Sequence, residues 1–131
     1  MSRETLVLSE PNRPLYEVKA GLFKGLAHPI RIRVLEVLSA QPEASVSELI
    51  AATGLEASHV SQHLAVLRRN RLVEAERRAS LVYYRLAYPQ VADLLRVARA
   101  LLGEILATTE RQLVERDGLP EIPPVPSAVH A

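Results

Sequence analysis

The sequence predicts a mainly α domain of the α+β class, five helices with one β-hairpin, and three features carry that prediction. Apolar residues recur at three- and four-residue intervals through most of the span 14–116. The period changes to strict alternation at 72–86. Between these, a short helix and a second, amphipathic one are joined through a tight turn at Gly54.

A chain of 131 residues suits one domain with length left for tails. Hydrophobic residues make up 48%, enough for a packed core. With one Phe and no Trp, that core must be aliphatic, which suits helices better than a sandwich. The absence of cysteine excludes disulfides, thiolate ligands, a catalytic thiol and cysteine redox switching. No apolar run has signal or membrane-spanning length, so a soluble cytoplasmic protein without a membrane partner is expected. The formal net charge of +1 implies no partner by itself. Charge distribution has to decide.

Residues 1–13 show weak periodicity and read as a flexible N-terminal arm. Residues 117–131 carry four prolines, cannot continue a helix and read as a disordered tail. The span between, 14–116, reads as one domain. Leu15, Val18, Leu22 and Leu26 predict a first helix near 14–26. Pro29 stands where a first helical turn tolerates a missing N–H, and Ile30, Val34, Val37 and Leu38 make the stripe of the second. The segment "SVSELIAATG" is a short helix that stops at Gly54, the usual left-handed terminator. Three residues later a helix over 57–70 begins, and the pair makes a helix-turn-helix candidate. At 72–86, Val73, Ala75 and Arg77, then Val82, Tyr84 and Leu86, alternate with their neighbours around the polar tip "RRAS", the pattern of a hairpin. The last helix, 89–116, opens at Pro89. Its apolar face, with Val91, Leu94, Leu95, Ala98, Leu101, Leu102, Ile105 and Leu106, is too broad for a solitary helix on so small a domain and calls for a second copy of the chain.

In the helix over 57–70, Ala57, Val60, Leu64 and Leu67 fall on one side and are expected to face the core. The opposite side holds Ser58, His59, Gln62, Ala65, Val66 and Arg69, with Ser61 and His63 on the shoulders. A solvated face usually favours Glu and Lys, and this one has neither. Short hydrogen-bonding groups with a small apolar gap at Ala65 suit base edges, since Gln pairs with adenine and apolar atoms meet the thymine methyl. Local charge agrees. From 57 to 86 six arginines (68, 69, 71, 77, 78, 85) face two acids, Glu74 and Glu76, a local sum of +4. Such a basic face attracts phosphates through counterion release. Arg77 and Arg78 at the hairpin tip are candidates to enter a minor groove or clamp phosphates beside it, the alternative being solvated turn arginines.

The blocks "LAHPIRIRVLEVL", "SVSELIAATGLEASHVSQHLAVLRRNRLV" and "VYYRL" resemble the ArsR/SmtB family of winged helix-turn-helix transcriptional regulators, over about residues 15–106. The ordered combination is far more specific than any one block. The resemblance implies a homodimeric repressor of double-stranded DNA, with helix 57–70 in successive major grooves and the 72–86 hairpin as the wing. It also implies a dimer interface of the first and last helices, here Leu15, Val18, Leu22, Leu94, Leu95, Ala98, Leu101, Leu102 and Ile105. Two-fold symmetry then calls for a pseudo-palindromic operator with half-sites roughly 34 Å apart.

The family's metal sites are not carried over. Members that sense metal through the third helix have Cys-x-Cys before an acid–Leu pair; Ser45 and Ser47 stand there, ahead of Glu48 and Leu49, and a hydroxyl is not a soft anionic ligand. Members that bind metal on the last helix use Asp-x-His and His-x-x-His/Glu, where this chain has Tyr88, Gln90, Leu101 and Glu104. Of these only Glu104 keeps the pattern. His59 and His63 have chelating i, i+4 spacing but no third ligand, and their segment is assigned to DNA. His28, before Pro29, reads as a capping residue. The expectation is therefore no metal and no cofactor; an unknown small-molecule effector, a protein effector and simple control of abundance all stay open. Glu56 departs from the usual Ser or Thr helix cap.

Two other classes stay in view. A winged-helix module for protein–protein contact without DNA would show affinity indifferent to salt. An enzyme would need a phosphate loop or an acid orienting the serines and histidines, and neither is present.

Overall fold

The computed structural model describes residues 12–117. The arm expected at 1–13 and the tail expected at 117–131 fall almost wholly outside the described residues. Within them the elements run α1 (Leu15–Leu26), α2 (Pro29–Ala40), β1 (Ala44–Ser45), α3 (Val46–Thr53), α4 (Ala57–Arg69), β2 (Val73–Arg78), β3 (Leu81–Leu86) and α5 (Gln90–Asp117). That is the expected set of five helices and a hairpin, with one addition in β1. The chain divides into two compact units, the second beginning at Asp93 within α5.

In the first unit each helix boundary has a local cause. Pro14 is extended, and its carbonyl accepts from the N–H groups of Glu17 and Val18, so α1 starts one residue after it. His28 caps α2 as expected: its Nδ1 accepts from the Ile30 N–H at 3.1 Å, with Pro29 at the first helical position. Ser45 closes a reciprocal capping box on α3. Its hydroxyl accepts from the Glu48 N–H while Glu48 Oε1 accepts from the Ser45 N–H, each at 3.2 Å. Hydrogen bonding from the Ser45 N–H, and then from the Ser45 side chain, holds the Glu48 carboxyl below its ordinary pKa. Gly54 ends α3 at φ 70°, its N–H donating to the Ile50 carbonyl at 2.9 Å.

The core is aliphatic, as the composition requires. Leu35, Leu49, Leu64, Leu67, Val34 and Val60 are fully buried. Two expectations are corrected here. The buried side of α2 is Val34, Leu35 and Leu38, while Ile30 and Val37 are half-exposed. This helix packs against α3, α4 and β3, so an arc that includes Leu35 is covered rather than one narrow stripe. Ala57 is exposed, because it occupies the first turn of α4 where the chain has just left the linker; Val60, Leu64 and Leu67 alone face inward.

β2 and β3 pair antiparallel from Val73↔Leu86 to Arg78↔Leu81. Ala79 and Ser80 alone make the turn, with Ala79 at φ 53°. Arg77 and Arg78, read from sequence as part of the tip, are instead the last two residues of β2. Facing residues across a ladder share a side, so Val73, Ala75, Arg77, Val82, Tyr84 and Leu86 form one face of the hairpin. Glu74, Glu76, Arg78, Leu81, Tyr83 and Arg85 form the other. β1 joins β3 through Ala44↔Tyr84 and Ser45↔Tyr83, giving the sheet order β1-β3-β2. A two-residue strand has no period to read, which is why the sequence does not announce it.

The second unit is the remainder of α5 from Asp93. Of its expected apolar face, Ala98, Leu101, Leu102 and Ile105 are exposed, and Leu94, Leu95 and Leu106 partly so. Among the described residues no helix is long and apolar enough to cross a membrane.

Candidate nucleic-acid interface

The candidate surface is built on α4, fastened to the core by Val60, Leu64 and Leu67. Its outward side carries Ser58, His59, Ser61, Gln62, Ala65 and Arg69, all exposed, with Val66 half-buried at the edge. No carboxylate interrupts that face. Glu56 stands at the N-cap in extended backbone and makes no side-chain capping bond, so the first N–H groups of α4 are left for other acceptors.

His63 is placed differently from the other candidates. It is half-buried against α2, its ring centroid 4.1 Å from that of His28 at an interplanar angle of 41°. Its Nδ1 lies 3.4 Å from an Nη of Arg31. Burial, and then the nearby charges of His28, Arg31 and His59, press its pKa below the ordinary 6.5.

The C-terminus of α4 is held by a Schellman motif. The Arg71 N–H donates to Arg68 O and the Leu72 N–H to Leu67 O, both at 3.0 Å. Arg71 takes the left-handed position at φ 60°, where glycine is usual. Asn70, the C-cap, is 4% exposed and donates from Nδ2 to Val66 O at 2.9 Å. Arg68, Arg69 and Arg71 surround it on the exposed surface.

The six arginines of the 57–86 span are thus sorted by the fold. On one face of the hairpin, Arg85 is paired with Glu74 at 3.1 Å and Glu76 at 3.7 Å. Arg78 is paired with Glu76 at 3.2 Å, lies over the Tyr83 ring at 3.8 Å, and reaches across β3 to Glu43. Arg68, Arg69, Arg71 and Arg77 have no acidic partner among the described residues. Sequence counting finds the excess charge but not its division, because Glu43 is 35 residues from Arg78. It also misses Arg31, which nothing in "HPIRIRV" separates from Arg33. Among the described residues no group of three metal-ligating side chains comes together.

A helix–turn–helix whose second helix presents an acid-free polar face, followed by a basic hairpin, defines a winged helix-turn-helix DNA-binding regulator. Residues 28–75 match the bacterial regulatory proteins of the arsR family. The transcriptional regulator Rv0081 of Mycobacterium tuberculosis is 47% identical over 97 residues, covering 73% of this chain and 84% of that one. Its crystal structure superposes with a TM-score of 0.69 at 46% identity, over 75% of this chain and 98% of that one. The transcriptional repressor BigR of Xylella fastidiosa superposes at 0.61 with 33% identity, over 77% and 96%. The homodimeric winged helix-turn-helix domain Mb0332 of Mycobacterium bovis does so at 0.64 with 29% identity, over 74% and 94%. The chain belongs to the ArsR family of transcriptional regulators.

Proposed function

We propose that this chain acts in the cytoplasm as a homodimeric, sequence-specific repressor, with residues 14–116 as its DNA-binding and dimerisation domain. The observation that carries the reading is the outward face of α4: exposed, free of carboxylates, and fixed from behind by three buried residues. Ser58, His59, Ser61 and Gln62 read base edges in the major groove, with His63 at the edge of that surface. Arg69, Arg77 and Arg78 meet phosphates or the minor groove, Arg78 by exchanging Glu43 for a phosphate.

Dimerisation is proposed through Leu15, Val18 and Leu22 of α1 and through Leu94, Leu95, Ala98, Leu101, Leu102 and Ile105 of α5. On α5, Val97, Leu101, Leu102 and Ile105 are all exposed, a run of apolar side chains on one helix of the kind that marks an interaction surface. The partner is double-stranded DNA with a pseudo-palindromic operator. Release by a small molecule, release by a protein and control of the chain's abundance are the three routes left open; no metal, cofactor or catalytic step is part of the reading.

Selection of bound fragments from genomic DNA would supply the operator. On it, Gln62→Ala is expected to change the preferred sequence, and Arg77→Ala to weaken all sequences alike and lower the salt slope by about 1. Identical behaviour of the two variants, or a purified chain that sediments as a monomer, would overturn the proposal.

A further inference from the structure

We propose that His63 is a positioning residue whose neutral imidazole clasps α4 to the junction of α1 and α2, so that DNA affinity declines when the ring takes up a proton. The proposal rests on the DNA reading of α4.

Donor identity settles both tautomers. A guanidinium can only donate, so His63 Nδ1, 3.4 Å from Arg31, offers its lone pair, and the neutral ring carries its proton on Nε2. His28 Nδ1 accepts a backbone N–H, so that ring has the same tautomer. The two rings then lie against each other with both Nδ1 lone pairs occupied. Arg31 completes the clasp by donating from Nε to Gly25 O at 2.7 Å and from its other Nη to Lys24 O at 3.3 Å. One guanidinium therefore joins the C-terminus of α1, the first turn of α2 and the middle of α4.

A proton added to His63 must go to Nδ1, where it points at the N–H of Arg31 and places a second positive charge beside the first. Nothing nearby offsets it. From α1 the junction receives the carbonyls of Lys24 and Gly25, and Lys24 is itself basic. From α2 come Arg31 and the cap His28, and from α4 itself His59, one turn earlier. Among the described residues no carboxylate acts on His63.

The direction of the pH effect follows from these contacts. Because the clasped ring has a pKa below its ordinary value, the clasped form binds fewer protons than the released one. The clasp is intact above about pH 6.5 and weakens as pH falls through that value.

The test compares the wild-type chain with His63→Asn, whose amide oxygen sits near the Nδ1 position, accepts from Arg31 and does not titrate. Duplex affinity of the wild type is expected to fall between about pH 7.5 and pH 5.5, by at most about tenfold per unit for one proton. His63→Asn is expected to lose less on acidification than the wild type, while His63→Ala is weaker than either at the higher pH. An Asn variant with the wild-type pH profile, or one that prefers a different sequence at neutral pH, would overturn the proposal. Thermal unfolding without DNA gives a separate readout. A wild-type melting temperature that falls with acid more steeply than the Asn variant's supports the clasp, even if no duplex binds, in which case the DNA reading alone has failed. Equal slopes reject the clasp.

Discussion

Gly25 in α1 lies directly on Asn70 at the end of α4: a Cβ on Gly25 would stand 2.9 Å from Asn70 Cγ and 3.1 Å from Nδ2. Both residues are buried, and Asn70 Oδ1 is the one buried side-chain polar atom without a hydrogen-bond partner among the described residues. A short side chain that is already tethered to Val66 O has little room to yield. Gly25→Ala should therefore destabilise the winged-helix unit by about 1–3 kcal/mol, the usual cost of overpacking. Chemical denaturation would measure it, and in an Asn70→Ala background the same change should cost less, because the obstructing atoms are gone.

Arg71 occupies a left-handed turn that favours glycine. The strain for a side chain there is about 1–2 kcal/mol, against which glycine loses more chain entropy on folding, roughly 0.5–1 kcal/mol. Arg71→Gly is thus expected to raise stability by several tenths of a kcal/mol, up to about 1. The same substitution removes a cation that has no acidic partner, so duplex affinity should fall without a change in the preferred sequence. A variant that is less stable by thermal unfolding would refute the backbone argument.

Glu56 caps α4 in backbone conformation but not in chemistry. Glu56→Ser would supply a hydroxyl to the free N–H groups, worth about 1 kcal/mol of stability. It would also remove a negative charge at the N-terminus of the helix proposed to enter the groove. Tighter DNA binding in a titration is expected. Unchanged or weaker affinity would mean that the start of α4 is turned away from the duplex.

Glu43 holds Arg78, the side chain proposed to meet phosphate. Neutralising it as Glu43→Gln should leave folding stability nearly unchanged, since both side chains are more than a third exposed. It should tighten DNA binding and steepen its salt dependence, whereas Arg78→Ala in the Glu43→Gln background should cancel the gain. Equal affinity of wild type and Glu43→Gln at low salt would show that Arg78 stays on the protein when DNA binds.

The helices of this chain were readable because each carries its own instruction. Periodic leucines and valines define faces, Pro29 and His28 open α2, and Gly54 ends α3. The alternation of 72–86 marked the hairpin for the same reason, a local period matched to a local geometry. Two readings of the core erred where the outcome depends on surroundings. Leu35 is buried because three elements cover α2, and Ala57 stands exposed at the start of α4, where the chain has just left the linker.

What the sequence determined by itself was the order of elements, the aliphatic core, the polar face of α4 and a surplus of arginine around it, all of which are set by neighbours a few residues apart. Only the tertiary structure decided which of those arginines keep their charge unpaired, that Arg78 reaches Glu43 across a strand, that Asn70 seats under Gly25, and that His63 turns from the outward face of α4 toward His28 and Arg31. The last three join residues separated by tens of positions. A contact of that kind exists only once the core has set the distance between elements, so no local pattern can record it.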